Sequence, residues 1–216
     1  MVDWGVYLVT GESLSAGRTT REVVERAVAG GVGVVQLREK DRSVRERYEM
    51  GQALRDLTRE AGVAFVVNDR VDLARALDAD GVHLGDDDLP VPVARDLLGA
   101  DAIVGRSVST VADAEAAERG GADYLGVGAV YATGSKEDIP EDEQGIGPEC
   151  VAAIADAVSI PVVGIGGITP ENAAAVTAAG ADGVAVITAI TAADDPEAAA
   201  RALGEAVERG KGDRDG

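Results

Sequence analysis

Short, continuous apolar runs recur along this chain, separated by longer stretches in which apolar residues return every three or four positions. Eight such runs stand out: "WGVYLV" near 4–9, "GVVQLR" near 33–38, "AFVVND" near 64–69 and "GVHLG" near 81–85 are the first four. "AIVGRSV" near 102–108, "YLGVGAV" near 124–130, "PVVGIGG" near 161–167 and "GVAVITA" near 183–189 complete the set. Runs of this kind fit strands buried on both faces of a parallel sheet. Helical patterns fill the gaps, as in "REVVERAVAG" from 21, "SVRERYEMGQALRDLTRE" from 43 and "PEAAARALGEAVERG" from 196. In the second, Val44 pairs with Tyr48 at i,i+4 and Leu54 with Leu57 at i,i+3, the spacing of a buried helix face.

One junction repeats between helix and strand: "AGGVGVVQLR" at 29, "EAGVAFVVND" at 60, "DADGVHLG" at 78, "GGADYLGVG" at 120 and "AGADGVAVI" at 179. Glycine there suits the end of a helix, where the chain needs a left-handed residue. Eight such units in 216 residues average 27 residues each, compact but adequate for a (β/α)8 TIM barrel. The expected domain spans 1–208, with a short polar tail at 209–216. A doubly wound open sheet is the alternative, but "TGESLSAG" after the first strand is not its GxGxxG fingerprint.

In a barrel the C-terminal ends of all eight strands meet at one mouth, where chemistry is done. Strand 2 brings Gln36, Arg38 and Lys40 there, on one side of the strand by alternation. Strand 3 ends in Asn68-Asp69, strand 4 in "HLGDDD", and strand 5 carries Ser107. Strand 6 runs into Thr133, Gly134, Ser135 and Lys136. The loops after strands 7 and 8, where such barrels commonly bind phosphate, read "GIGGITPEN" and "ITAI". Gly166 and Gly167 would let backbone N–H groups approach an anion, with Pro170 opening a helix behind them. Ile187 and Thr188 would present N–H groups from the other side. The same glycine pair also suits a tight turn.

Asp69 and Asp88 have the look of ligands for a hard cation. Mg²⁺ is held by one or two carboxylates plus waters and substrate phosphates. The run Asp86–Asp88 also fits the general acidity of the chain. His83, the only histidine, lies inside strand 4, so a core or supporting position is expected rather than a role as base. Trp4 and Cys150 read as packing. No nucleophile–base pair is evident, so the mouth suits a reaction whose difficulty is charge on a leaving group.

Composition narrows the partners. There are 39 acidic residues against 20 basic, a net charge of −19, and only Lys40, Lys136 and Lys211 among the basic residues are lysines. Such a surface repels nucleic acid and anionic membranes, leaving small-molecule substrates as the expected partners. Acid scattered over helix faces, with almost no lysine, also suggests adaptation to high salt. No apolar stretch reaches the roughly 18 residues of a membrane span, and one cysteine allows no disulfide framework, so a cytoplasmic protein is expected. A homo-oligomer is allowed, but nothing in the sequence selects it.

The motifs "QLREK", "VND", "GVHLG" followed by Asp88, "GRS", "YLGVGAVYATGSK", "PVVGIGGI" and "DGVAVITAI" together resemble the thiamine-phosphate synthase family along nearly the whole chain. That resemblance implies condensation of a hydroxymethylpyrimidine diphosphate with a thiazole phosphate, releasing pyrophosphate. It implies that Gln36, Leu37, Arg38, Glu39 and Lys40, with Asn68 and Ser107, contact the pyrimidine diphosphate. Asp69 and Asp88 would bind Mg²⁺. Thr133, Gly134, Ser135, Gly167, Ile187 and Thr188 would receive the thiazole phosphate, and Lys136 would hold the diphosphate. Lys136, Arg38 and Ser107 would then carry the reaction. The chain departs from the family pattern at Ala129, Ser135, Asp86 and Thr188; Asp86 adds negative charge near an anion site. The segment 137–145 is more acidic than expected for a lid-like loop. Two rivals are a thiazole tautomerase-like paralogue and a non-catalytic thiazole phosphate-binding barrel. The first uses a histidine after strand 5, where this chain reads "SVSTVAD". Retention of Arg38, Lys40, Asp69, Asp88 and Lys136 weighs against the second.

The charge generates a first prediction. At about 1 M salt the Debye length falls to about 3 Å, screening repulsion between helix faces but sparing short contacts in the mouth. Melting temperature and initial rate should therefore both rise from about 0.05 M to about 2 M KCl. Highest stability and rate in the dilute buffer would contradict a salt adaptation.

Overall fold

A strand buried on both faces needs side chains suited to two different interiors, and the eight runs supply both. The computed structural model describes residues 2–134 and 145–215. Strands β1 (Val6–Val9), β2 (Val34–Leu37), β3 (Ala64–Asn68), β4 (Gly81–Leu84), β5 (Ile103–Val108), β6 (Tyr124–Val127), β7 (Val162–Ile165) and β8 (Gly183–Val186) form a closed barrel in chain order. All neighbours are parallel, and β8 returns to pair with β1. The architecture is a (β/α)8 barrel.

Around it, among the described residues, lie α1 (Thr20–Ala29), α2 (Val44–Ala61), α3 (Val71–Ala76), α4 (Val91–Leu98), α5 (Val111–Arg119), α6 (Gly147–Ala157), α7 (Ala173–Ala178), α8 (Thr188–Thr191) and α9 (Pro196–Asp215). Capping boxes start α1 at Thr19 with Glu22 and α2 at Ser43 with Glu46. Each satisfies two otherwise orphaned N–H groups. Outward strand residues such as Val6, Leu8, Val35, Leu37, Val82 and Leu125 pack against helix residues including Val24, Leu54, Ile154 and Leu203. Burying each such side chain stabilises by about 1.5–3 kcal/mol. Inward residues form a separate cluster of Tyr7, Val9, Val34, Val66, Tyr124, Val163, Ala185 and Ile187.

The repeated junction has a physical reason beyond its glycines. Asp80, Asp123 and Asp182 precede β4, β6 and β8. Each donates its N–H to the carbonyl of Phe65, Val104 or Val162 near the start of the preceding strand, at 2.7–2.9 Å. Each carboxylate also accepts the N–H of that same residue, at 2.7–2.8 Å. An aspartate placed here closes one βα unit onto the one before. Arg55 of α2 adds a fork to Asp80 at 2.9 and 3.0 Å, and Arg95 of α4 reaches Asp123. Planar guanidinium groups make such paired bonds where lysine cannot.

The structure corrects the expected elements in four places. β6, β7 and β8 stop at Val127, Ile165 and Val186, because the following residues turn into the mouth and Thr188 begins α8. Pro170 lies in a turn ahead of α7, whose N-cap is Asn172, so it does not open that helix. Residues 209–215 continue α9 as its last turns, where the sequence suggests a polar tail. Val44 and Tyr48 are exposed, whereas Leu54 is fully buried. The inward face of α2 therefore begins beyond its first turn.

The aspartate junction can be tested by thermal melting. Asp182→Ala leaves the Val162 N–H without its acceptor and should cost about 1–2 kcal/mol. In a chain of this size that is a drop of about 2–4 °C for each kcal/mol. An unchanged melt would show that the junction carries no stability.

Candidate active site

At the C-terminal ends of the strands the barrel opens into a cavity of about 660 Å³. Arg38 and Lys40 line it after β2, Asn68 and Asp69 at the end of β3, and Asp88 after β4. Ser107 enters from β5, Thr133 from beyond β6, Gly167 after β7, and Ile187 with Thr188 after β8. Four further residues named from sequence stand apart. Gln36 is buried beneath the cavity with its amide on Tyr7, and Leu37 faces the helices. Glu39 is also buried. Its carboxylate accepts the Glu12 N–H at 2.9 Å and the Thr20 hydroxyl at 2.7 Å, so it ties the β1 loop to α1. Gly134 is exposed and does not line the cavity. Ser135 lies outside the described residues, as do Lys136 and most of the acidic 137–145 loop.

The acidic corner is built by backbone geometry. Asp69 adopts a left-handed φ of 64°, which aspartate tolerates better than most residues. Its N–H donates to the His83 carbonyl at 2.8 Å, anchoring the turn. Lys40 Nζ lies 3.6 Å from Asp69 Oδ2. Asp88 accepts the Gly85 N–H at 2.6 Å, which holds its carboxylate beside Asp69. Burial, followed by the Asp88 charge, pushes the Asp69 carboxyl above the usual carboxylate range, while Lys40 and Arg38 oppose the shift. A carboxylate pair placed in this way could hold a hard divalent cation. Among the described residues no third carboxylate, histidine or cysteine joins the pair. A cation here would draw further ligands from water and substrate oxygens.

Asp86 is matched locally. Arg106 Nη2 lies 2.5 Å from Asp86 Oδ1, so the extra charge meets a guanidinium at the rim.

Opposite the acids, Gly166 and Gly167 take φ values of 104° and 61°. A Cβ on Gly166 would stand 2.6 Å from the Ala129 Cβ, and one on Gly167 would stand 2.8 Å from the Ala132 carbonyl oxygen. Close packing of the 129–132 segment therefore demands both glycines, whatever ligand the loop receives. Asn172 fixes the same loop: Oδ1 accepts the Thr169 N–H at 2.8 Å and Nδ2 donates to the Gly167 carbonyl at 3.0 Å. The sequence reading missed Asn172, although an asparagine two residues after the proline is a turn signal.

It also missed Tyr7 and Tyr124. Their hydroxyls lie 2.8 Å apart in the barrel interior, and Tyr124 also lies 2.8 Å from His83 Nδ1. His83 is largely buried but lines the cavity, with Nε2 2.9 Å from Ser107 Oγ. Trp4 packs on Tyr124 with ring centroids 4.4 Å apart.

Fold and mouth together define a (β/α)8 barrel with a charged cavity at the C-terminal ends of its strands, the place where barrels of this class carry out chemistry. A family model described as thiamine monophosphate synthase matches residues 6–190. A thiamine-phosphate synthase of Haloarcula marismortui is 72% identical over 98% of this chain and 100% of its own length. One from Moorella thermoacetica is 54% identical over 98% of this chain and 100% of its own. Among solved structures, a thiamine phosphate pyrophosphorylase from Pyrococcus furiosus superposes with a TM-score of 0.88 at 42% identity, covering 97% of this chain and 98% of its own. The chain belongs to the thiamine-phosphate synthase family, a transferase family of thiamine biosynthesis.

The raised Asp69 carboxyl yields a stability prediction with a definite sign. A carboxyl whose pKa is higher in the fold than in the unfolded chain costs stability once ionised in both states. Asp69→Asn should therefore raise the melting temperature at neutral pH by a few degrees. The gain should vanish below about pH 4, where the unfolded-state carboxyl is also protonated. A neutral-pH melt lower than that of the parent would contradict the assignment.

Proposed function

We propose that the enzyme joins 4-amino-2-methyl-5-(diphosphooxymethyl)pyrimidine to 4-methyl-5-(2-phosphooxyethyl)thiazole with Mg²⁺ bound at Asp69 and Asp88. One observation carries the reading: a single cavity holds a carboxylate pair beside Arg38 and Lys40, with glycine-rich and Thr188-bearing loops on the far side. That division suits a diphosphate with its cation at one end and a phosphomonoester at the other. Membership in the family supports the same reading.

The electron-rich aminopyrimidine can release its diphosphate by cleavage of the methylene C–O bond, the electron pair leaving with oxygen. The ring then stabilises a methylene cation. The thiazole nitrogen supplies its lone pair to that carbon and closes the C–N bond, giving thiamine phosphate and pyrophosphate. Mg²⁺, when bound, would supply charge for the departing diphosphate. Arg38 and Lys40, which line the cavity with the carboxylate pair, would stabilise that charge, and by resemblance Lys136 would join them. Asn68 and Ser107 would hold the pyrimidine. The loops around Gly167 and Thr188 would hold the thiazole phosphate, so that the two reacting atoms meet within the barrel mouth.

Purified protein with both substrates and Mg²⁺ should yield thiamine phosphate by mass, with none when either substrate is omitted. No product from the complete mixture would overturn the proposal. Asp69→Ala and Asp88→Ala should each raise the Mg²⁺ needed for half-maximal rate by at least about tenfold, the loss that even an outer-sphere partner can cause. An unchanged Mg²⁺ requirement in both would remove the metal assignment. Lys136→Ala should cut turnover at least about a hundredfold, the cost of losing one preorganised contact to developing charge. Unchanged turnover with a raised KM would make Lys136 a binding contact only.

A further inference from the structure

Five polar groups form one hydrogen-bonded chain across the barrel, rising from the interior to His83 and Ser107, which line the cavity. Gln36 Nε2 donates to the Tyr7 hydroxyl at 2.7 Å. Tyr7 and Tyr124 hydroxyls are 2.8 Å apart, Tyr124 is 2.8 Å from His83 Nδ1, and His83 Nε2 is 2.9 Å from Ser107 Oγ. The tyrosines are 1% and 0% exposed, so their protons must find partners within the fold.

Proton counting sets a direction. A tyrosine hydroxyl has one proton, and a neutral imidazole has one N–H. With the Gln36 amide donating into the Tyr7 oxygen, the Tyr7 proton is left to Tyr124. The Tyr124 proton then goes to His83 Nδ1. A ring nitrogen that accepts carries no proton, so the His83 proton sits on Nε2 and points at Ser107 Oγ. Ser107 accepts it, and its own proton is free to point into the cavity that the residue lines.

Two glycines lock the rings in this arrangement. A Cβ on Gly105 would stand 2.2 Å from Tyr124 Cζ, and one on Gly126 would stand 2.9 Å from His83 Cε1. Each ring occupies space that an alanine would take.

We infer that Tyr7, Tyr124 and His83 are positioning residues that make Ser107 a hydrogen-bond donor toward the substrate, so that the group seated there is an acceptor. On the proposed reaction, which this step uses only to name the ligand, that acceptor is a ring nitrogen of the aminopyrimidine rather than its amino group. One atom controls the polarity. With the Gln36 carbonyl oxygen facing Tyr7, every bond would reverse, His83 would carry its proton on Nδ1, and Ser107 would present a lone pair instead.

Because His83 is the chain's only histidine, isotope-labelled histidine gives a single pair of ring-nitrogen NMR signals in the intact, substrate-free enzyme. The inference expects a fixed Nε2–H tautomer at neutral pH. A predominant Nδ1–H form, an averaged mixture or an imidazolium would overturn it. Tyr124→Phe, checked for folding by circular dichroism, removes the donor to Nδ1. The tautomers should then mix, and KM for the pyrimidine diphosphate should rise about three- to tenfold while KM for the thiazole phosphate holds. A folded variant with the tautomer still fixed and KM unchanged would also overturn the inference. If the variant does not fold, the parent spectrum decides alone. A fixed Nε2–H tautomer in a protein that forms no thiamine phosphate would sink the proposed reaction and leave the relay standing.

Discussion

The contact between the Tyr7 and Tyr124 hydroxyls, 2.8 Å long, is the constraint on which the rest of the barrel interior depends. An unpaired buried hydroxyl costs about 1–3 kcal/mol, so two tyrosines inside a small barrel are tolerable only if both find partners. They find each other, and then Gln36 on one side and His83 on the other. Burial drives both phenols well above their ordinary pKa, which keeps them neutral and makes them dependable donors. From this pair the polar chain reaches Ser107 at the cavity floor, while Trp4 closes the underside. The neighbouring glycines follow from the same constraint, since rings that cross the interior leave no room for side chains at Gly105 and Gly126. A floor held by paired hydrogen bonds gives the groups above it a fixed reference.

Charge is divided as carefully as volume. The chain carries a net −19, yet its mouth gathers Arg38 and Lys40 around an acidic pair. Most remaining arginines are matched to carboxylates along helices or at the junctions below the barrel, as Arg55 is to Asp80. Surface pairs of this kind contribute little individually. The forked junction contacts differ, because they also hold strand N–H groups and so connect electrostatics to barrel closure. At the mouth the balance is left incomplete: Asp69 and Asp88 share one corner, where burial first and their mutual repulsion second raise the Asp69 carboxyl above its usual range.

Much of the fold was legible because the strand signal is local. Continuous apolar runs and the repeated junction place all eight strands, and position just past a strand end puts Arg38 and Lys40 at the cavity. β2 stops at Leu37 and Glu39 turns to φ 29°, so strand alternation does not extend to them. Strand ends were less legible. After β6 the pattern of Gly128, Ala129 and Val130 stays apolar while the backbone turns, so hydrophobicity alone does not mark the end. Leu37 and Glu39 show the limit of reading a motif whole. Leu37, the last residue of β2, packs on helices, whereas Glu39, past the strand end at φ 29°, clamps the β1 loop. Tyr7, Tyr124 and Asn172 went unread for different reasons. Asn172 bonds residues only three and five positions away and its turn signal was simply passed over, whereas the tyrosines meet each other across 117 residues, a contact that no local pattern reports. The glycines at 105 and 126 were the available signal, since glycine inside a strand often marks a close approach.

A double-mutant cycle on Tyr7→Phe and Tyr124→Phe tests the central claim most directly, namely that the interior polar groups act as one unit. Stability and kcat/KM would be measured for the parent, both single variants and the double variant. Removing one hydroxyl strands its partner, whereas removing both relieves that penalty. The double variant should therefore lose less than the two single losses combined, with a coupling of at least about 0.5 kcal/mol. Strict additivity in both readouts would contradict the account.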